Sequence, residues 1–80
     1  MQKTKRIILT FLGIKPSTIP EIRKHFKDKF KATNSAELAR QMKILEANKC
    51  VINNSGVYSI TDRGLEMLEI LEGIGDIFKQ

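Results

Sequence analysis

An 80-residue chain with 41% apolar and 29% charged residues has ordinary globular composition, and its length allows one modest core. No apolar run exceeds three residues, far short of the roughly 20 that cross a bilayer, and the single cysteine, Cys50, excludes an intrachain disulfide or a cysteine-based metal centre. The net charge of +5 is unevenly spread: residues 1–61 hold twelve Lys and Arg against four acids, whereas residues 62–80 hold two against five. The basic part suits a polyanion, and the acidic end is expected to face away from one. The basic start (Lys3, Lys5, Arg6) is not followed by a small-residue cleavage site after Phe11-Leu12-Gly13, so a cytoplasmic protein is expected.

Residues 3–13 place Ile8, Phe11 and Leu12 on one helical face, and Gly13 is a natural stop. Lys15-Pro16-Ser17 reads as a turn. Thr18-Ile19-Pro20-Glu21 then reads as a capping box, with Pro20 in the first turn where its missing N–H costs nothing. The helix that follows carries Ile22, Phe26 and Phe30 as a core stripe among Arg23, Lys24, Lys27, Lys29 and Lys31.

Asn34-Ser35-Ala36-Glu37 offers a second cap, opening a helix over about 35–48. Leu38, Met42 and Leu45 face inward; Ser35, Ala36, Ala39, Arg40 and Lys43 lie on the other side, and Gln41 borders the inward stripe. Asn48 or Lys49 must end the helix, and Asn is the residue that better tolerates a left-handed conformation. Cys50–Asn53 and Val57–Ile60 are short strand-like runs around Asn53-Asn54-Ser55-Gly56, which predicts a β-hairpin. Tyr58 and Ile60 share one face of it.

Thr61 caps a last helix with Asp62 in its first turn. Leu65, Leu68 and Leu71 form one apolar stripe suited to the domain. Met67, Ile70, Ile74, Ile77 and Phe78 form a second, for which a twin chain is the simplest partner. Gly73 and Gly75 weaken this helix. His25 has no cysteine or carboxylate at ligand spacing, and Glu66, Glu69 and Glu72 read as a solvated face. Neither a catalytic constellation nor a cofactor or small-molecule site is visible.

The order helix, helix, helix, hairpin, helix, with Ser17-Thr18-Ile19-Pro20-Glu21-Ile22, Leu38 through Glu46 and Tyr58-Ser59-Ile60-Thr61-Asp62-Arg63-Gly64, resembles the winged helix-turn-helix regulators of archaea, bacteria and archaeal viruses. The last run resembles the Y-x-[IL]-T-x-[KR]-G segment by which many of them leave the wing. The chain departs from that family at Asn48-Lys49-Cys50, where a Gly is usual, and at a wing tip without Arg or Lys.

The resemblance implies an α+β, mainly α fold: a single winged-helix domain with three helices, a two-stranded wing hairpin and a C-terminal dimerisation helix, divided into 1–61 and 62–80. It implies a sequence-specific regulator of transcription, a repressor working on the nucleoid as a homodimer on double-stranded DNA. Ser35, Ala36, Arg40 and, if it points outward, Gln41 would meet bases. Lys5, Thr18, Arg23, Lys24, Lys27, Lys31, Lys43, Asn54 and Ser55 would meet the backbone. Met67, Ile70, Leu71, Ile74, Ile77 and Phe78 would form the dimer interface. The alternatives are a winged helix used for protein–protein contact and a non-specific architectural DNA binder.

Overall fold

The computed structural model of the protein describes residues 2–30 and 35–73. It is mainly helical, with a small antiparallel sheet: α1 (Gln2–Ile14), β1 (Ser17–Thr18), α2 (Ile19–Phe30), α3 (Ser35–Ala47), β2 (Val51–Asn54), β3 (Val57–Ile60) and α4 (Asp62–Leu71).

Helix α1 buries Ile7, Ile8, Leu9 and Leu12, with Phe11 half-buried beside them. It runs through Gly13, which was expected to stop it, and ends at Ile14. Gly13 has no left-handed backbone and open space around it, so nothing there breaks the helix.

The sheet has three strands in the order β1-β3-β2, one more than the expected hairpin. Ser17 and Thr18, read as a turn and a cap, pair with Tyr58 and Val57 of β3. Thr18 nevertheless keeps its capping role: its N–H donates to Glu21 Oε1 at 2.8 Å, and the Glu21 N–H donates to Thr18 Oγ1 at 3.3 Å. A two-residue strand is too short to show any alternation, which hides it from a periodicity reading.

Helices α2 and α3 close the core with Ile22 and Phe26 from one and Leu38, Met42 and Leu45 from the other. Phe30's side chain and the linking residues 31–34, including Lys31 and the Asn34 cap, lie outside the described residues. Helix α3 ends in a Schellman motif: the Lys49 N–H donates to the Glu46 carbonyl at 3.0 Å and the Cys50 N–H to the Leu45 carbonyl at 2.9 Å. The left-handed residue is Lys49 (φ 63°), not Asn48. Lys49 thus occupies the conformation that a Gly would adopt without steric cost, at the place where this chain lacks the usual glycine. Cys50 is fully buried beside Leu45, which makes it a packing residue.

The hairpin β2–β3 turns through Ser55 (φ 55°) and Gly56 (φ 91°), the pair of positive φ angles that a two-residue type I′ connection requires. Asn53 holds this turn: its Oδ1 accepts the Gly56 N–H at 2.8 Å, and its Nδ2 donates to the Tyr58 hydroxyl at 3.3 Å. Tyr58 and Ile60 pack against the core as their shared face required.

Thr61 joins the end of β3 to the end of α3. Its N–H donates to the Cys50 carbonyl at 3.0 Å and its hydroxyl to the Lys49 carbonyl at 2.7 Å. The same hydroxyl oxygen accepts the Gly64 N–H at 3.0 Å as the N-cap of α4. Gly64 is buried, and a Cβ built on it would overlap the Cys50 carbonyl oxygen and come within 2.7 Å of Ile60 Cγ1.

Helix α4 packs on α1 and departs from the expected stripes. Met67, Leu68 and Leu71 meet the core, while Leu65 is exposed. With Gly64 as the close-packed position, Leu65 falls about 100° away around the helix and Met67 and Leu71 fall near Gly64's own side. Met67 and Leu71 are therefore partly buried against the domain's own core. Ile70 is 70% exposed. The helix ends at Leu71, with Gly73 left-handed behind it (φ 79°). Ile74, Ile77 and Phe78 lie outside the described residues. No described helix is long and apolar enough to cross a membrane.

Gly64→Ala is expected to destabilise the protein by about 2 kcal/mol or more, because neither backbone carbonyl nor helix can give way freely. Lys49→Gly is expected to stabilise it by roughly 1 kcal/mol by removing the left-handed penalty. Urea denaturation with unchanged m-values checks both.

Candidate nucleic-acid interface

Inward burial of Leu38, Met42 and Leu45 decides which side of α3 meets solvent. That outward face carries Ser35, Ala36, Ala39, Arg40, Lys43, Glu46 and Ala47, all exposed. Three alanines among longer polar chains leave the helix narrow on this side, with the basic side chains of Arg40 and Lys43 rising from it. A narrow helix face from which Arg40 and Lys43 project, with the acid Glu46 toward its C-terminal end, is of a size to enter a groove.

The structure divides the expected base readers. Ser35, Ala36 and Arg40 are on the exposed face, but Gln41 is buried, with 4% of its surface exposed. Gln41 sits where the inward stripe widens, so it cannot reach a base edge without leaving the core. Its Nε2 donates to Glu37 Oε2 at 2.8 Å, and its Oε1 is buried with no hydrogen-bond partner among the described residues. Arg40 is bound to the same carboxylate: Nε donates to Glu37 Oε1 at 3.0 Å and Nη2 to Oε2 at 3.0 Å. These bonds, Gln41's first and Arg40's next, hold the Glu37 carboxyl below its ordinary pKa of 4.5. Glu37 was visible in the sequence only as a cap. Its i+3 and i+4 spacing to Arg40 and Gln41 is the signal for this second role.

The expected backbone-contacting group also divides. Arg23 and Lys27 are exposed one turn apart on α2, and neither has an ion pair among the described residues. Lys24 pairs with Asp28 at 3.2 Å on the side that borders α1, in a cleft of about 280 Å³ shared with Phe11, Lys15, Glu21 and His25. His25 stacks on Phe11 with ring centroids 4.3 Å apart. The Thr18 hydroxyl is engaged with Glu21, which also draws Lys15 to 3.9 Å, so it is a structural cap first. Lys5 is half-buried on α1 and Lys43 is exposed on α3; Asn54 and Ser55 are exposed at the hairpin tip. Lys31 lies outside the described residues.

The acidic residues of α4, Asp62, Glu66 and Glu69, are all exposed, as is Glu72 just beyond it. Among the described residues no three His, Cys, Asp or Glu side chains come together as a metal site would need. No protein family, curated protein or solved structure matches the chain. Function is therefore read from the side chains themselves.

An NMR titration of the Glu37 carboxyl is expected to give a pKa below 4.5, and Gln41→Leu or Arg40→Ala to move it back up. A depressed folded-state pKa means that the stability gained from these bonds is complete above the unfolded value and fades as pH falls through the folded one. An unshifted Glu37 would mean that the three side chains do not associate in solution.

Proposed function

We propose that the protein is a winged helix-turn-helix regulator that binds double-stranded DNA with α3 in the major groove. The observation that carries this reading is the outward face of α3. Its inward side is locked in the core, and it exposes small residues with Arg40 and Lys43 rising among them. The element order α1-β1-α2-α3-β2-β3-α4 with strand order β1-β3-β2 supports a winged helix, with β2–β3 as the wing. Arg40 would donate to a base edge, with Ser35 and Ala36 beside it at the entrance of the groove. Lys43, Arg23 and Lys27 would neutralise phosphates and set the register, as would Ser55 and Asn54 from the wing. The exposed acids of α4 would be held on the side away from the duplex, where repulsion is least.

The working form is a homodimer on a two-fold symmetric operator, with half-sites about one helical turn apart. Ile70 supports this reading, since a large aliphatic chain 70% exposed on a helix suits a partner surface. As a repressor it would act by occupying its operator.

Sequential selection from a randomised duplex pool, followed by affinities at several salt concentrations, tests the reading. The expected result is an enriched palindrome and a steep salt dependence. Each neutralised phosphate adds roughly −0.9 to the slope of log affinity against log salt, so Arg23→Ala with Lys27→Ala should flatten it by about 2 per protomer. Steep salt dependence without enrichment would indicate an architectural binder. Absence of binding at low salt would contradict the DNA reading and favour a protein partner.

A further inference from the structure

We propose that Glu37 is a positioning residue that, anchored by the buried Gln41, holds Arg40 side-on so that its distal edge reads a guanine. The inference rests on the DNA-binding reading above and names the base that the outward face of α3 recognises.

Arg40 has five N–H donors, of which the Nε–H and one Nη2–H are taken by the two oxygens of Glu37. The remaining edge carries one hydrogen on each terminal nitrogen, parallel and directed away from Glu37. Guanine offers two adjacent acceptors, O6 and N7, to such a fork in the major groove. Adenine offers one acceptor and one donor, so one arm of the fork would meet a like group. An unsupported arginine would have to lose its rotamer freedom on binding, whereas this one is held beforehand.

The support runs back into the core. Glu37 Oε2 accepts from Gln41 Nε2 at 2.8 Å, and Gln41 is 4% exposed in line with Leu38, Met42 and Leu45. Among the described residues the Gln41 Oε1 atom is buried with no hydrogen-bond partner. A buried carbonyl in that condition costs stability, and an apolar residue of the same size would avoid the cost. The amide is therefore poorly explained by packing and well explained by what it grips. The depressed Glu37 pKa, with the Gln41 bond as its largest cause, agrees with the carboxylate being held ionised at this point. A lone carboxylate among phosphates would repel DNA, but paired with Arg40 it is locally neutral.

The test compares the wild type, Glu37→Gln and Gln41→Met on three duplexes: the one that the wild type enriches from a randomised pool, the same duplex with its conserved guanine changed to adenine, and a scrambled duplex. The wild type should prefer guanine by about tenfold or more. Both variants should lose most of that preference while binding the scrambled duplex at least as well as the wild type. Gln41→Met should melt no lower than the wild type, which separates lost reading from lost folding. If Glu37→Gln tightens binding to every duplex alike and keeps the guanine preference, the carboxylate is only a negative charge and the inference fails while the DNA reading stands. If Arg40→Ala leaves the preference intact, the inference fails in the same way. If the wild type binds no duplex, both fail together.

Discussion

The junction where α3 ends and α4 begins is the constraint on which the rest of the structure depends. Two consecutive carbonyls, those of Lys49 and Cys50, are left over by the Schellman turn and accept the hydroxyl and the amide of Thr61. The same threonine caps α4 through the Gly64 amide, and the missing side chain of Gly64 lets that helix approach the Cys50 carbonyl. One residue thereby ties the end of α3, the start of β2, the end of β3 and the start of α4. A hairpin of two four-residue strands cannot fix its own orientation, since a two-stranded ribbon is marginal alone. Here Thr61 anchors its base, Asn53 holds its tip, and β1 lends a third strand along β3.

That junction has a consequence for α3. With its C-terminal end clamped and its inward face buried, the helix is a rigid platform whose outer side chains are displayed at fixed positions. Surface ion pairs contribute little to stability in general. The Glu37–Arg40 pair is better understood as geometry than as stabilisation: it selects one of the many conformations open to a long side chain. The charge pattern follows the same division of labour. Before the junction α2 carries four Lys and Arg residues against two acids, and after it α4 carries Asp62, Glu66 and Glu69 against Arg63, so the balance of charge changes sign between these two helices.

Caps and turns were the parts of the fold most readily seen in the sequence, because they are short-range chemistry. The Thr18–Glu21 box, the Thr61 cap and the Ser55-Gly56 turn each need only neighbouring residues. The features that escaped depend on partners distant in sequence. Strand β1 is two residues long and exists only because β3 is there to pair with. Gln41 borders the Leu38-Met42-Leu45 stripe, and periodicity alone leaves such a border residue on either side; the width of the buried face decided it. On α4, three leucines at three-residue spacing looked like one stripe, yet the close approach at Gly64 rotates Leu65 out and Met67 in. Lys49 took the left-handed position over Asn48 because the Schellman bonds from Lys49 and Cys50 fix where the turn falls, and backbone preference yields to them. Of the candidate interface, Arg40, Lys43, Arg23 and Lys27 could be named from type and spacing, whereas the role of Glu37 required knowing that Gln41 is buried.

The central claim, that the outward face of α3 with the wing tip meets DNA while α4 faces away, is tested most directly by mapping amide chemical shifts as duplex DNA is added. The account predicts the largest changes over 35–43 and 53–56 and little change on the exposed acidic side of α4. Changes centred on α4, with α3 silent, would contradict it.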